Sequence, residues 1–398
     1  MADLFNKHDD IKHVQESIKL RRHIHTYPEL AFKEHLTAQT IIEFLEQNNI
    51  LYEKICETGI VAIIKKGNGN KSLGLRADID ALPIQEKNNF EHASKHQGVM
   101  HACGHDGHTA ILMCAAYNLK HHIDFDGTAY CIFQPAEEHG AGAARMIEQG
   151  LFTKFNMDCV FAMHNWPDIP QGNFGLKTGA IMAGSNEFCI EIQGKGGHAA
   201  MPHQTNDPII CCAEIILAFQ TILSRNISPL EQAVVSVTQI HGGGDASNII
   251  PDNTWIGGTV RIFSFEILDK IEQRMKQIAD NIAQAHDCKI NFQFTRNYPP
   301  TINTIEEVNL VSKVLQKTFG KDKVNENVTP TMGAEDFSFM LQQKKGCYFF
   351  IGNGNGTHRQ IGHGLGPCQL HNHSYDFNDN LVELGAKVWV ELVKEYLK

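Results

Sequence analysis

The sequence predicts an α/β protein, with a mixed-sheet α/β/α domain interrupted by an inserted ferredoxin-like domain of the βαββαβ type. Short apolar strand patterns alternate with amphipathic helical patterns before residue 184 and again after residue 298. Between residues 184 and 298 the predicted order is strand, helix, strand, strand, helix, strand. A length of 398 residues also exceeds what one ordinary core uses. The predicted domains are 1–183 and 299–398 as two segments of the first, and 184–298 as the insert.

The first segment alternates strands and helices, as expected for a sheet covered on both faces. Helices are predicted at 14–24, 37–49 and 108–122, and strands at 59–66, 72–81, 127–138 and 158–166. In such sheets the loops beyond the carboxyl ends of the strands form a crevice. The polar residues at or just past these ends are Asp78, Asp80, Glu137, Glu138 and His164. We therefore expect the functional groups to meet at this edge.

The insert has its own complete pattern. Its predicted strands are 186–194, 233–243, 254–263 and 288–298, and its predicted helices are 207–225 and 266–286. The first domain then resumes with helices at 305–319 and 381–397 and a strand at 347–353. Two linkers between the domains suit a hinge motion.

Composition narrows the class of partner. A net charge of -10 without a basic stripe argues against nucleic-acid binding. The opening MADLFNKHDDIKH is polar, and no later run is expected to approach the roughly 18 apolar residues of a membrane span, so we predict a cytoplasmic protein without a membrane partner. Eleven cysteines without a CxxC pair indicate reduced thiols. The expected partner is a small molecule.

The segment MHACGHDGHTA, residues 100–110, concentrates ligand-type side chains. Thiolate and imidazole hold zinc and its neighbours well, and Cys103-x-His105 on an extended backbone would aim both groups at one point. This pattern indicates a metal site. The alternative is that Cys103 is a small buried apolar residue and that the histidines belong to a helix start.

Other candidate residues lie near later strand ends. Glu137 and Glu138 are adjacent after an apolar strand, so one could bind a metal while the other acts as general base. A solvated acidic turn is the alternative. His164 ends an apolar strand, where it could be a core histidine, and His371 and His373 precede the last helix, where capping or surface roles are the alternative.

Nine motifs together resemble the amidohydrolase branch of the M20 metallopeptidase family. In order they are RADIDALP, MHACGHDGHTA, QPAEE, MHNWP, GKGGHAAMPH, SNIIPD, GGTVRIF, MGAEDFSF and LHNHSYDFND. This branch includes hippurate hydrolase, bacterial N-acyl-amino-acid amidohydrolases and plant hydrolases of auxin conjugates. The resemblance runs from about residue 20 to the C-terminus. It implies a catalytic domain that holds two divalent metal ions, Mn²⁺, Zn²⁺ or Co²⁺, and an inserted lid.

The resemblance also implies roles in the first domain. Its metal ligands fall on Cys103, His105, Glu138, His164 and His371. The general base falls on Glu137. His373 stands where the family has proline and competes with His371 as the last ligand; we favour His371 because it holds the motif position. Asp80 is expected to orient a ligand, and Asp106 and His108 to support the ligands from behind or to cap the helix.

In the lid, the resemblance implies that His198 reaches the active site of a partner subunit, so a homodimer or higher homo-oligomer is expected. Asn248 and Arg261 match positions that grip a substrate carboxylate. The predicted function is metal-dependent hydrolysis of the amide bond of an N-acyl amino acid, hippurate-like or N-acetyl-amino-acid-like, which releases a carboxylic acid and a free amino acid. Three alternatives remain: a dipeptidase or aminopeptidase of the same family, a metal-free hydrolase with Cys103 as nucleophile beside His105, and a binding protein without catalysis.

Overall fold

The computed structural model describes residues 11–359 and 361–398, which form two compact units. Unit 1 contains the chain up to Ile181 together with Ile302–Thr329 and Asp336–Lys398. Unit 2 contains Met182–Thr301 and Pro330–Glu335. The sequence prediction had placed the last of these segments, Pro330–Glu335, in the first domain. The boundaries at residues 183 and 298 stay predictions.

The first part of the chain supplies most of the helices and strands of unit 1. Its helices are α1 (Val14–Thr26), α2 (His35–Gln47), α3 (His105–His121), α4 (Gly142–Glu148) and α5 (Leu151–Lys154). Its strands are β1 (Leu51–Ile55), β2 (Gly59–Lys66), β3 (Ser72–Asp78), β4 (Gly127–Gln134), β5 (Cys159–Pro167), β6 (Phe174–Gly175) and β7 (Gly179–Met182). The predicted alternation is therefore present, with α3 starting three residues before the predicted helix because His105, Asp106 and Gly107 join its first turn.

Unit 2 follows. Its strands are β8 (Gly184–Gln193), β9 (Gly197–His198), β10 (Ala233–Gly242), β11 (Ile249–Ile250), β12 (Asn253–Ile262) and β13 (Lys289–Tyr298), and its helices are α6 (Pro208–Thr221) and α7 (Phe265–Ala285). The chain then forms β14 (Thr301–Asn303), α8 (Ile305–Phe319), β15 (Val324–Asn325), α9 (Phe337–Gln343), β16 (Lys345–Gly354) and α10 (Leu381–Tyr396).

Unit 1 is built on an eight-stranded mixed sheet in the order β1-β2-β4-β3-β5-β16-β6-β15. The pairs β3–β4, β3–β5 and β5–β16 are parallel, whereas β1–β2 and β2–β4 are antiparallel. Parallel strands buried on both faces are expected to be apolar throughout, and every residue of β3 is buried. The prediction of a mixed-sheet α/β domain is confirmed, and the carboxyl ends of β3, β4 and β5 lie side by side.

Helix α3 lies in the core of unit 1. The run Ile111–Ala116 is buried, and α10 packs against it. Gly385 allows this close approach, since a Cβ there would lie 2.7 Å from Cδ1 of Ile111. A helix with so little exposed surface has few ways to shift, so the residues at its N-terminus are held firmly.

Unit 2 is a four-stranded antiparallel sheet in the order β10-β12-β8-β13, with α6 and α7 in the two crossover positions. Inward side chains such as Ile190, Ile256 and Val260 form its separate core with the two helices. This is the predicted βαββαβ arrangement, and the fold class is confirmed in both parts.

One composition-based expectation is wrong. Helix α6 and the π-helical turn after it form a continuous segment, Pro208–Asn226, of 19 residues with a mean hydropathy of 1.5, which by length and composition could cross a membrane. Among the residues that the structure describes it is the only such segment, and 33% of it is buried. Its inward residues, such as Cys211 and Ile215, serve the unit 2 core, whereas Ile210 and Leu217 face outward.

Candidate active site

Four of the five predicted metal ligands, together with the predicted base Glu137, lie in two overlapping groups of unit 1. In one, donor atoms of Cys103, Glu138 and His371 all lie within 4.8 Å of one another; in the other, donor atoms of His105, Glu137 and Glu138 do. Glu138 belongs to both groups. A carboxylate shared between two sets of ligands is the arrangement expected of a site that would hold two ions.

Gly104 sets the geometry of Cys103 and His105. It has a φ of 93°, in the left-handed region, and directly precedes α3, of which His105 is the first residue. The sequence interpretation assumed an extended backbone for Cys103-x-His105, and this is wrong, because the chain turns sharply into the helix between the two residues. A side chain at Gly104 would lie 2.3 Å from Oδ1 of Asn165, so only glycine fits this turn.

His105 is held so that one ring nitrogen faces the site. Its Nδ1 lies 2.9 Å from the backbone oxygen of Asp80 and 3.2 Å from Oδ1 of the same residue, so Nδ1–H donates to Asp80. This leaves Nε2 as the ligand atom. It is buried and has no hydrogen-bond partner in the described residues, and it lies 3.9 Å from Oε1 of Glu138. The predicted orienting contact of Asp80 is therefore present.

The Glu137–Glu138 pair follows β4 in a tight turn. The backbone N–H of Glu138 donates to Oδ2 of Asp80 at 2.9 Å, so one aspartate positions both His105 and Glu138. Glu137 is buried, with 7% of its surface exposed, which excludes the solvated acidic turn.

His164 lies within β5 rather than at its end, since the strand continues to Pro167. Its Nδ1–H donates to the backbone oxygen of Asn165 at 2.7 Å, and its Nε2 lies 3.4 Å from Sγ of Cys103. Burial lowers the pKa of His164 well below its ordinary value. A neutral imidazole with an unprotonated Nε2 is the form that binds a metal.

His371, not His373, reaches this cluster. His371 has a φ of 60°, and its backbone N–H donates to the oxygen of Ala102 at 2.8 Å, which places it beside Cys103. Its Nε2 lies 3.2 Å from Oε1 of Glu138, and both atoms belong to the group that Cys103 completes. Nδ1 of His373 instead contacts Oγ of Ser374 at 2.8 Å.

A third group, Asp78, His105, His108 and His164, also has metal-ligand geometry and was not predicted as such. Both ring nitrogens of His108 are already used, however: Nδ1 lies 2.6 Å from Oδ1 of Asp78, and Nε2 lies 2.6 Å from Oδ1 of Asn165. His108 therefore supports the site from behind. The position of Asp78 at the end of β3 was the only sequence signal for this contact. Asp106 pairs instead with Arg21 and His25, at 3.1 and 2.9 Å.

The electrostatics of the cluster suit a cation. Burial raises the pKa of the Cys103 thiol well above its ordinary value, and the nearby Glu138, Glu137 and Asp78 carboxylates raise it further. Although burial lowers the pKa of His105, Asp78 and Asp80 outweigh this effect and raise it to about 10. The carboxylates that contribute to both pKa shifts concentrate negative charge around Nε2 of His105, which has no hydrogen-bond partner among the described residues. Thiolate, imidazole and carboxylate donors in this setting fit a divalent transition-metal ion.

The same shift weighs against Cys103 as a nucleophile. A nucleophilic cysteine needs a lowered pKa, usually from a neighbouring imidazolium. Here the pKa is raised, and the imidazole nearest to the thiol is His164, whose pKa is lowered.

The remaining predicted residues belong to unit 2. His198 and Asn248 are neighbours, because β9 pairs with β11 and the N–H of Ala199 donates to the oxygen of Asn248 at 3.0 Å. Nδ1 of exposed His198 accepts from the N–H of Ala200 at 3.1 Å, so Nε2 carries a proton that it can donate. Arg261 lies on β12, where Nη1 donates to Oγ1 of Thr259, and it forms no ion pair with any described carboxylate.

Comparison with known proteins agrees with these features. The family model described as Peptidase family M20/M25/M40 matches residues 74–395. Hippurate hydrolase from Campylobacter jejuni is 42% identical over 381 residues, which is 96% of each chain. N-acetyl-L-cysteine deacetylase from Bacillus subtilis is 42% identical over 346 residues, covering 86% of this chain and 82% of the relative.

A solved structure extends this likeness to the fold. A dinuclear metal-binding peptidase of family M20 from Bacillus subtilis has a TM-score of 0.83 and 31% identity, with 96% of this chain and 98% of that chain covered. The family match, these relatives and the carboxylate of Glu138 shared between two ligand groups lead to one conclusion. The chain belongs to the amidohydrolase branch of peptidase family M20 and is a dinuclear-metal hydrolase.

Proposed function

We propose that this protein hydrolyses the amide bond of N-acyl amino acids and releases a carboxylic acid and a free amino acid. The observation that carries the proposal is the buried Glu137 beside the shared carboxylate Glu138, because it puts a base next to two ligand sets. Two relatives at 42% identity support the substrate class, since hippurate and N-acetyl-L-cysteine are both amino acids acylated on nitrogen.

Five side chains of unit 1 would hold the ions, namely Cys103, His105, Glu138, His164 and His371. When bound, the two cations supply a water of lowered pKa and polarise the scissile carbonyl. The native metal is proposed to be Mn²⁺, Zn²⁺ or Co²⁺, in keeping with one thiolate, three imidazoles and a carboxylate as donors.

Glu137 is the proposed proton shuttle. Its carboxylate takes a proton from the attacking water and later gives it to the leaving amine, which must be protonated to depart as a free amino acid. Glu137 is buried, so its carboxylate is not surrounded by bulk water. Electrostatic interactions in both proton transfers are stronger in such a low-dielectric setting. Glu138, which lies within ligand distance of both sets, is the ligand of the pair.

Unit 2 is proposed to recognise the substrate. The guanidinium of Arg261, which lacks an ion-pair partner among the described residues, can take the free carboxylate of the amino acid, with Asn248 as a second donor. His198 has a proton on Nε2 to offer to the developing oxyanion. The roles of Arg261 and Asn248 make the free carboxylate of the substrate a requirement.

The working unit is proposed to be a homodimer or a higher homo-oligomer. Strand β10 is an edge of the unit 2 sheet, and the helix that follows β8 exposes Ile209, Ile210 and Leu217. Unpaired edge hydrogen-bonding groups beside exposed apolar side chains are a natural surface for pairing two copies. The other edge, β13, exposes Lys289, Asn291 and Arg296 instead.

The function is tested by measuring amine release from a panel of N-acetyl, N-benzoyl and longer-chain acyl amino acids after reconstitution with each metal. Each substrate is paired with its carboxamide, which lacks the free carboxylate, and with a dipeptide. We expect activity that EDTA abolishes and that falls on the carboxamide. Higher activity on dipeptides would instead make the protein a dipeptidase, and activity that survives EDTA would contradict the metal mechanism.

Action in trans is tested by complementation. His198→Ala and Glu137→Gln are each expected to be nearly inactive, with losses of about 10² to 10³ in kcat. A mixed dimer would contain one site with both residues intact, so subunit exchange should restore activity. Exchange without restored activity would mean that His198 does not serve the partner's site.

A further inference from the structure

A buried carboxylate in unit 1 has no part in the mechanism above. Glu34, the residue before α2, has no exposed surface, and its side chain forms no ion pair with any described cation. Burial raises its pKa to about 7. A carboxylate kept in the interior costs several kcal/mol in lost hydration unless its hydrogen bonds compensate, so the partners of Glu34 indicate what it is for.

The two partners are both donors. Oε1 accepts from the backbone N–H of Ala136 at 2.9 Å, and Oε2 accepts from the hydroxyl of Thr58 at 2.7 Å. Ala136 is about one hundred positions later in the chain and immediately precedes Glu137. The contact is therefore a tertiary one, between the segment before α2 and the turn that presents the Glu137–Glu138 pair.

Ala136 is a strained residue. Its φ is 55°, in the left-handed region, where the Cβ of an alanine approaches the following carbonyl oxygen too closely. Such a conformation persists only where the surroundings hold it. The oxygen of Ala136 accepts from the N–H of Gly142 at 3.0 Å, and its own N–H is taken by Glu34.

The turn is thus held on both sides of Glu137 by buried carboxylates. Glu34 binds the N–H before it, and Asp80 binds the N–H after it at 2.9 Å. The same early segment also packs on the far end of the turn, where Phe32 lies so close to Gly140 that a Cβ there would be 2.6 Å from the ring.

We propose that Glu34 is a positioning residue, which holds Ala136 in its left-handed conformation and so aims Glu137 and Glu138 at the metal site. The inference rests on the roles proposed above for Glu137 and Glu138. The described side-chain hydrogen bonds of Glu34 run to the backbone of Ala136 and the hydroxyl of Thr58, so Glu34 acts through the turn and not on the reacting atoms.

The test compares variants that remove or keep the acceptor oxygen. Glu34→Met fills the same space without an acceptor, a replacement that buried charges often tolerate, and Glu34→Asp keeps the charge but withdraws it by one methylene. Glu34→Gln keeps an oxygen for Ala136. Thr58→Val is the matched control, because it removes the other hydrogen bond of the same carboxylate. Affinity for Zn²⁺ is measured by competition with a chelating dye, which needs no substrate, and kcat and KM are measured at saturating metal.

We expect the acceptor-removing variants to lose about 10- to 100-fold in Zn²⁺ affinity and in kcat with little change in KM, the usual effect of removing a group that orients a ligand. Glu34→Gln and Thr58→Val should stay within about threefold of the parent in Zn²⁺ affinity, because each keeps an oxygen on residue 34 that can accept from the N–H of Ala136. If one removal variant does not fold, the other supplies the comparison.

Zn²⁺ affinity within about threefold of the parent in a folded Glu34→Met or Glu34→Asp protein would overturn the proposal. So would a Thr58→Val protein that loses as much as they do, because the effect would then be general destabilisation. A parent that binds Zn²⁺ but hydrolyses no N-acyl amino acid would count against the proposed function alone, since the affinity comparison would still decide the role of Glu34.

Discussion

Gly104→Ala should be among the most damaging single-methyl changes in this protein. Gly104 has a φ of 93°, and an added Cβ would lie 2.3 Å from Oδ1 of Asn165 and 2.7 Å from the hydroxyl oxygen of Tyr375. Those two groups are buried and bonded to each other, with Nδ2 of Asn165 donating to the Tyr375 oxygen at 2.6 Å. The methyl group therefore cannot enter without displacing a satisfied polar pair.

The magnitude follows from two terms. Left-handed φ costs an alanine roughly 1–2 kcal/mol. Forcing a methyl group into a packed site costs about 1–3 kcal/mol more. We expect the free energy of unfolding of the metal-free protein to fall by about 2–5 kcal/mol, measured by urea denaturation. Because Gly104 separates Cys103 from His105, Zn²⁺ affinity should also fall by about 10- to 100-fold.

Gly98→Ala is the matched control. Gly98 has a φ of 75° in the same unit, but a Cβ there would meet no heavy atom within 4 Å. It should therefore lose only the roughly 1–2 kcal/mol of the backbone term and keep its metal affinity. Equal losses of stability in the two variants, together with unchanged Zn²⁺ affinity in Gly104→Ala, would refute the reasoning.

Three further outcomes are expected. Burial lowers the pKa of His25, but the Asp106 carboxylate outweighs this effect and raises the pKa to about 10. Above pH 6.5, the ordinary pKa of histidine, the unfolded chain loses this proton whereas the folded protein keeps it. The free energy of unfolding should fall by on the order of 1 kcal/mol per pH unit between pH 7 and 9, and His25→Gln should flatten this slope. Bound metal should protect Cys103 from alkylation, measured by mass spectrometry. Glu137→Gln should keep its metal and lose about 10² or more in kcat, whereas Glu138→Ala should lose metal.

Each of these has a contradicting result. Because the pKa of His25 is higher in the folded protein, the stability that its proton contributes is complete below pH 6.5 and lost toward pH 10. If His25→Gln leaves the slope of the unfolding free energy against pH unchanged, His25 is not the titrating group. Equal alkylation of Cys103 with and without metal would count against ligation. Metal loss in Glu137→Gln that matches Glu138→Ala would exchange the roles of the two glutamates.

The helices and strands of both units follow from local periodicity, and so they were predictable. Apolar runs such as β3 and the alternating pattern of β8 each depend on a few adjacent residues and on which face is buried. The polar residues at strand ends could be recognised as candidate functional groups because the same local pattern shows where each strand ends. The exact bounds were less predictable, as the extension of α3 to His105 and of β5 to Pro167 shows, because helix starts and strand ends depend on partners elsewhere in the chain.

The resemblance of ordered motifs named the candidate ligands but not their geometry. The motif position already favoured His371 over His373, but the hydrogen bond from His371 to Ala102 that places it beside Cys103 joins residues 269 positions apart and leaves no trace in either local sequence. The contact of His108 with Asp78 was missed for the same reason, since a histidine beside a helix start has many uses.

The sequence by itself determined the fold class, the family and the set of residues able to hold metal, because composition, periodicity and motif order are properties of short stretches of chain. Only the tertiary structure decided which donor atoms face each other, that the chain turns sharply at Gly104, and that Glu34 accepts from the N–H of Ala136. These contacts join distant segments, and their geometry is selected by the packing of the whole unit and by the need to satisfy buried polar groups, which no local pattern records.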